Sequence, residues 1–160
     1  MKIALTGHSN GLGQALFEFL SQKYEVIGFS RSNGYDIKNP SDREKIIKES
    51  KDCDIFINLV HNYYHQTDLL LELHKSWKGL QKYIINIGTS AVDDWNFGLG
   101  DYQMSEYKVQ KTTLVDMITT LKRSFQHPIL KLYVISEINF DKDISNLNSI
   151  IENECKLSKT

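Results

Sequence analysis

The sequence predicts an α/β protein built on a doubly wound parallel sheet with helices on both faces. Three observations predict this class. Short apolar runs rich in β-branched residues alternate with longer segments whose apolar residues recur every three or four positions. A glycine-rich turn separates the first apolar run from the first helical segment, and both prolines, Pro40 and Pro128, fall at segment boundaries. Such alternation is typical of βαβ units, which build parallel sheets.

Five runs have the length and character of strands that are buried on both faces. They are KIAL (2–5), YEVIGF (24–29), DIFINLV (54–60), KYIINIG (82–88) and LKLYVISEI (130–138). The segments between them have the spacing of amphipathic helices. These are LGQALFEFLSQ, SDREKIIKES, TDLLLELHKSW and EYKVQKTTLVDMITTLKRSF, the last within a long helix over about 101–125. Because no repeat or flexible linker interrupts the pattern, we expect one domain over 1–160.

Composition excludes several classes of function. A net charge of −1 with 24% charged residues gives no basic surface for nucleic acid or a membrane. The two cysteines, Cys53 and Cys155, are too few for a disulfide scaffold or a metal cluster, so we expect reduced thiols and no metal. The N-terminal run MKIAL is too short for a signal peptide, which favours a cytoplasmic protein.

The turn TGHSNGLG (6–13) lies between the first strand and the first helix, where helix N-terminal amides are available to an anion. Gly7 would permit a tight turn, Gly11 would let a phosphate approach the backbone, and Gly13 would let the helix pack closely on the strand. The alternative is a glycine-rich turn without a ligand. The predicted pyrophosphate site comprises Gly7, His8, Ser9, Asn10, Gly11, Leu12 and Gly13.

The spacing TGxxxGxG, followed by NIGTS at 86–90 and YKVQK at 107–111, resembles the short-chain dehydrogenase/reductase family. The resemblance extends from Met1 to about residue 138. It implies a Rossmann-like sheet of about six strands in the order 3-2-1-4-5-6, with a shortened C-terminal substrate region. It also implies a nicotinamide dinucleotide cofactor and the interconversion of a small carbonyl compound and its alcohol.

Two segments bear on the adenosine half of the cofactor. FSRS has Ser30 where NAD-preferring family members carry an acidic residue, and the following Arg31 can pair with a 2′-phosphate. The resemblance therefore favours NADP, with NAD possible; the alternative is that Arg31 is a solvated surface side chain. Asp36 and Ile37 resemble the family's acidic and aliphatic pair that meets adenine; the alternative for Asp36 is a turn or a helix cap.

The run DIFINLVHN departs from the family's D-x-x-x-N-N-A-G. Asn58 matches the first asparagine, whereas Leu59, Val60 and His61 replace residues that are small in the family. This suggests either a shifted loop or an altered cofactor contact, and we keep Asn58, Leu59 and Val60 as predicted cofactor residues. His61 fits a loop residue as well as a functional one.

The resemblance assigns catalysis to four side chains. Thr89 takes the place of the catalytic serine, with Ser90 behind it, and either hydroxyl could hold a substrate carbonyl. Both could instead satisfy backbone groups at a strand end. Tyr107 and Lys111 are one helical turn apart, so the ammonium can lower the phenol's pKa and make Tyr107 the acid/base. Both would also contact the cofactor, Lys111 at the nicotinamide ribose.

Tyr102 is the poorer acid/base candidate. Glu106 follows it at four residues, where a carboxylate would raise the phenol's pKa. The sequence also offers no clear position for the asparagine that many family members use in a proton relay.

The segment after the last strand lacks the Pro-Gly turn that usually opens the family's substrate-covering region, which suggests an open pocket. A partner subunit could close it, since the family pairs through the long helix as a homodimer or homotetramer. The sequence therefore predicts an NADP(H)-dependent oxidoreductase. A non-catalytic NAD(P)-binding regulator or redox sensor is the alternative, and a flavodoxin-like phosphate-binding domain explains the motifs less well.

Overall fold

The computed structural model describes residues 1–124 and 130–135, together with residue 149. Its centre is a parallel sheet in the order β2-β1-β3-β4-β5, which confirms the predicted fold class. Phe125, Pro128, Cys155 and positions 136–138 of the last predicted strand lie outside the described residues. The strands are β1 (Lys2–Thr6), β2 (Glu25–Phe29), β3 (Ile55–Asn58), β4 (Tyr83–Ile87) and β5 (Lys131–Ile135).

The described part of the chain has five strands where about six were expected. Their order is the predicted 3-2-1-4-5-6 without its outermost strand, which would have followed β2. A 3₁₀ turn over Arg31–Asn33 lies there instead. The reason is local: Gly34 has a φ of 91°, and the Asn33 side chain donates to the Gly28 carbonyl and accepts from the Ser30 amide. These turn-forming contacts leave no extended run for another strand.

Four helices occupy the segments predicted for them. They are α1 (Gly11–Ser21), α2 (Pro40–Glu49), α3 (His65–Trp77) and α4 (Tyr102–Ser124). Pro40 at the start of α2 occupies a position where its missing N–H costs no helical hydrogen bond. Within the described residues, no helix combines the length and apolar character needed to cross a bilayer.

Each strand contributes alternate residues to the two faces of the sheet. Phe56 packs in one core with residues of α2, α3 and α4, whereas its neighbours Ile55 and Ile57 pack in a second core with Leu16 and Leu20 of α1. Both faces are therefore apolar, which explains the continuous apolar runs in the sequence.

Thr6 connects the C-terminal ends of β1 and β3. Its Oγ1 accepts hydrogen bonds from the amides of Leu59 at 2.9 Å and Val60 at 3.3 Å. These amides are thus held by a side chain, and β3 ends at Asn58, two residues before the predicted run ends. The segment after β3 is fixed at the carboxyl edge of the sheet, beside the glycine turn.

Arg43 holds the segment between β2 and α2. Its buried guanidinium donates to the Glu72 carboxylate of α3 at 2.9 Å and to the Ile37 carbonyl at 2.8 Å. The contact ties this segment to two helices at once, and it determines where Asp36 and Ile37 lie.

We predict that Leu70→Ala lowers the free energy of unfolding by about 2–5 kcal/mol, because Leu70 is fully buried and its truncation leaves a cavity. Leu71→Ala, at the neighbouring side chain that is 38% exposed, should cost less than about 1 kcal/mol. Urea denaturation followed by far-UV circular dichroism measures both. Equal losses in the two variants would contradict the described packing of α3.

Candidate functional site

The glycine turn brings the start of α1 into contact with the end of β1. A Cβ on Gly13 would lie 1.9 Å from the Gly7 carbonyl oxygen, so only glycine fits there. Gly7 has a φ of 81°, and a Cβ on it would lie 2.7 Å from Val60 Cγ2. The turn is thus packed against both α1 and the segment after β3.

Gly11, the first residue of α1, faces open space. Its φ is 50°, and a Cβ on it would meet no atom within 4 Å. The N-cap residue Asn10 makes no side-chain capping bond, and the first turn of α1 contains no acidic side chain. The N-terminal amides of α1 therefore lack a side-chain acceptor and can receive an anion.

A cavity of about 620 Å³ extends from this turn along the carboxyl edge of the sheet. Its walls come from three segments: the glycine turn, the segment after β2 and the segment after β3. The predicted cofactor residues among its lining are Gly7, Ser9, Asn10, Ser30, Arg31, Asp36, Ile37, Leu59 and Val60. The other lining residues had no predicted cofactor contact; they are Phe29, Ser32, Tyr35, His61 and Asn62.

His8 does not line the cavity. Its ring fills the space above Gly28, where a Cβ would lie 2.2 Å from the ring Cγ, and its centroid is 5.2 Å from that of Phe17. The predicted cofactor contact of His8 is therefore limited to its main chain. Leu12 packs against the apolar core under α1, so the same limit applies to it.

Arg31 lies on the cavity wall directly after β2, and its side chain is exposed. None of the described carboxylates forms an ion pair with its guanidinium. The neighbouring Ser30 is fixed, because its amide donates to Asn33 Oδ1 at 2.8 Å and its hydroxyl contacts that of Ser32 at 2.7 Å. The Arg31 guanidinium, which pairs with none of the described carboxylates, thus lies beside a turn that hydrogen bonds hold in place.

Asp36 combines both roles considered for it. Its Oδ1 accepts from the Lys38 amide at 3.0 Å, which is a turn-forming contact, and the residue also lines the cavity. Ile37 lines the cavity too, but it is buried and forms part of the core. Only a small part of its side chain is available to a ligand.

Asn58 lies behind the cavity wall and is not among the residues that line the cavity. It is fully buried, and its Nδ2 donates to the Gln66 carbonyl at 2.9 Å and to Asn86 Oδ1 at 3.0 Å. The side chain joins β3 to β4 and α3, so its role in this structure is to hold the strand ends together.

Tyr107 and Lys111 share one face of α4, as predicted. Lys111 Nζ lies 5.9 Å from the centroid of the Tyr107 ring. The ammonium is almost completely buried, donating to Gln66 Oε1 at 2.8 Å and to the Ile87 carbonyl at 2.9 Å. Burial lowers the pKa of Lys111 to about 8, because a cation is poorly solvated there.

The half-buried Tyr107 ring is enclosed by two other rings. The His61 ring packs against it in an edge-to-face arrangement at 4.8 Å, and Phe97 lies 6.3 Å away. The pKa of His61 is lowered by its burial and by the positive charge of Lys111. Since His61 also lines the cavity, it links the cavity to Tyr107. Tyr102 is 90% exposed at the start of α4, away from such packing.

Thr89 and Ser90 follow β4. Thr89 Oγ1 accepts from the Ala91 amide at 3.3 Å, so it caps the short 3₁₀ turn that begins at Ser90. The hydroxyl proton of Thr89 remains available for donation, and the Ser90 side chain is exposed. Thr89 thus caps the turn, and its hydroxyl can still donate a hydrogen bond to a substrate.

Two site residues, His61 and Gln66, had no role predicted from the sequence. His61 had a signal, because it stands where the family pattern has glycine, but its contact with Tyr107 depends on the fold. Gln66 had none, since a single glutamine near the start of a helix is ordinarily a surface residue. Among the described residues, no group of three potential metal ligands is close enough to hold an ion.

The burial of Lys111 gives a pH prediction. Between pH 8 and 10.5 the folded protein has released this proton while the unfolded chain still binds it, so raising the pH stabilises the fold. We expect the unfolding free energy of the wild type to rise by roughly 1–3 kcal/mol relative to Lys111→Met across this window. Urea denaturation at several pH values measures the difference. Lys48→Met, at an exposed lysine of α2, should keep the rise, and a rise retained by Lys111→Met would contradict the assignment.

Comparison with known proteins bears on the fold. No protein-family model matches the sequence, and no curated protein is detectably similar to it. Among solved structures, an NADH complex of 3-alpha-hydroxysteroid dehydrogenase from a Pseudomonas species matches with a TM-score of 0.69 at 19% identity, covering 85% of this chain and 71% of that one.

Two further structures match in the same way. A short-chain dehydrogenase/reductase from Brucella ovis has a TM-score of 0.67 at 16% identity, covering 94% of this chain and 91% of that one. One from Burkholderia cenocepacia with NADP has a TM-score of 0.67 at 15% identity, covering 84% and 70%. At such identities the likeness establishes the fold. The predicted resemblance in fold is thereby confirmed: this chain has a Rossmann-type fold similar to that of the short-chain dehydrogenases/reductases.

Proposed function

We propose that the protein is an NADP(H)-dependent oxidoreductase that interconverts a small carbonyl compound and its alcohol. One observation carries the proposal: a single cavity joins the open N-terminus of α1 and Arg31 to His61, whose ring contacts Tyr107. Groups suited to a dinucleotide phosphate and groups suited to proton transfer are therefore connected along one edge of the sheet. The same edge is where open α/β sheets bind their ligands.

The residues present fit such a cofactor. The open space at Gly11 admits a phosphate, and the α1 amides without side-chain acceptors would hold the pyrophosphate. Arg31, unpaired within the described part of the chain, would hold a 2′-phosphate through charge-assisted hydrogen bonds. Leu59 and Val60 would form the wall behind the cofactor.

When bound, the cofactor's nicotinamide supplies or accepts the hydride. The chain's own groups would handle the oxygen and the proton. The Thr89 hydroxyl, with Ser90 as the alternative, donates a hydrogen bond to the substrate oxygen as that oxygen gains charge. Tyr107 Oη gives its proton to the same oxygen in reduction and takes it back in oxidation. Lys111, whose Nζ lies 5.9 Å from the centroid of the Tyr107 ring, would supply a positive charge beside the phenol.

The preference for NADP rests on Arg31, since the similar structures contain NADH or NADP. Ser30 supports it, because its hydroxyl adds no negative charge at the end of β2.

A second candidate is a non-catalytic NAD(P)-binding regulator. The observation that favours it is the extent of the cavity, whose lining includes His61 but not Tyr107 or Thr89. In that case Tyr107 and Lys111 would only place the cofactor. Substitution of Tyr107 separates the two candidates.

We predict that Arg31→Ala weakens NADPH binding by about 10- to 100-fold, because a charge-assisted contact to the 2′-phosphate is lost. NADH, which has no such phosphate, should bind the variant as it binds the wild type. Isothermal titration calorimetry with both nucleotides measures this, and Arg123→Ala, at an exposed arginine of α4, is the matched control. An equal loss of both nucleotides, or no loss at all, would rule out the NADP preference.

We predict that Tyr107→Phe lowers NADPH oxidation by at least about 100-fold with any aldehyde or ketone that the wild type reduces, since the proton donor is removed. NADPH affinity should change by less than about twofold. The control is Tyr102→Phe, which removes an exposed phenol of the same helix and should keep full activity. If Tyr107→Phe remains active, or if the wild type turns over no member of a broad carbonyl panel, the regulator becomes the better description.

A further inference from the structure

Behind the cavity wall, a buried polar cluster joins β3, β4, α3 and α4. It consists of the side chains of Asn58, Gln66, Asn86 and Lys111 with the Ile87 carbonyl. All four side chains are nearly or completely excluded from solvent, and they are linked by hydrogen bonds of 2.8–3.0 Å. Buried polar groups usually have hydrogen-bond partners; in this cluster Asn58 Oδ1 has none among the described residues, whereas both polar atoms of the Gln66 amide are satisfied and hold their partners in place.

The orientation of the Gln66 amide follows from its partners. Nε2 donates to the Asn58 carbonyl at 2.8 Å and to the Ile87 carbonyl at 3.0 Å, which uses both of its hydrogens. Oε1 is thereby directed at Lys111 Nζ, 2.8 Å away. The opposite orientation would set Oε1 against two carbonyl oxygens and the NH₂ group against the ammonium, so the hydrogen-bond network excludes it.

The main chain of Gln66 is held as well. Asn58 Nδ2 donates to the Gln66 carbonyl at 2.9 Å, which ties the first turn of α3 to the end of β3. The side chain and the backbone of Gln66 are thus both hydrogen-bonded to residues at the carboxyl ends of β3 and β4. Any group that bonds to Oε1 acquires the same fixed position.

We propose that Gln66 is the positioning residue of Lys111, holding the Nζ at the ends of β3 and β4 with one neutral, rigidly oriented oxygen. What Lys111 then does for Tyr107 rests on the proposed function, whereas the holding itself is independent of it. A long lysine side chain would otherwise sample many rotamers, and ordering it in advance spares that entropy when a ligand binds.

The neutrality of Gln66 matters for the charge of Lys111. The titratable groups that face Nζ are His61, from the segment after β3, and Tyr107, on the same helix. None of the described carboxylates pairs with it. A glutamate at position 66 would supply a negative charge at hydrogen-bond distance and raise the proton affinity of the lysine. A methionine would remove the acceptor and lower that affinity further.

The test is an NMR pH titration of protein labelled with ¹³C at the lysine ε-carbon, with the Lys111 signal assigned by its loss in Lys111→Met. In the wild type the signal should titrate near the pKa of about 8 that burial produces. Gln66→Glu should move the midpoint up by at least about one pH unit, and Gln66→Met should move it down by about half a unit or more. Gln103→Glu, an exposed glutamine of α4, should leave it unchanged.

An unchanged Lys111 midpoint in Gln66→Met would overturn the proposal, as would an unchanged midpoint in a folded Gln66→Glu. Gln66→Met carries the test alone if the glutamate variant does not fold, which circular dichroism reports. Calorimetric NADPH titration of the wild type distinguishes a failure of the proposed function from a failure of the positioning role of Gln66. Absent NADPH binding removes the proposed function and leaves the NMR expectation standing, whereas unmoved midpoints with intact NADPH binding remove only the positioning role.

Discussion

The backbone contact between the end of β1 and the first turn of α1 is the constraint on which the site depends. Gly13 packs so closely on the Gly7 carbonyl that no side chain fits between them. The contact brings the helix N-terminus to the carboxyl edge of the sheet with its amides unmet by any side-chain cap. Val60 packs on the same turn, so the segment after β3 is positioned with it. An anion site and the wall of a cavity thus arise from one close approach.

Behind this edge, polar groups fix the geometry without adding negative charge around Lys111. Asn58 and Gln66 cross-link β3, β4 and α3: Asn58 Nδ2 donates to the Gln66 carbonyl, and the Gln66 side chain bonds two backbone carbonyls and Lys111. Burial without a described carboxylate partner leaves the pKa of Lys111 lowered to about 8.

The sequence was sufficient for the features that depend on local pattern. The apolar runs located the five strands, and the glycine spacing located the turn at which β1 meets α1. The sequence was insufficient where a contact between residues far apart in the chain determines the local structure. β3 ends at Asn58 because Thr6, far away in the chain, takes the next amides. The Asn58 side chain bonds to Gln66 and the His8 ring packs on Gly28, and no single-sequence pattern reveals such packing partners.

A crystal structure of the protein grown with NADPH tests the anion site at the start of α1 most directly. We expect pyrophosphate oxygens within hydrogen-bond distance of the main-chain amides at the start of α1, with the adenosine half of the nucleotide in the cavity beside Arg31. Ordered nucleotide density elsewhere, or nucleotide in the cavity that makes no contact with the first turn of α1, would contradict this expectation.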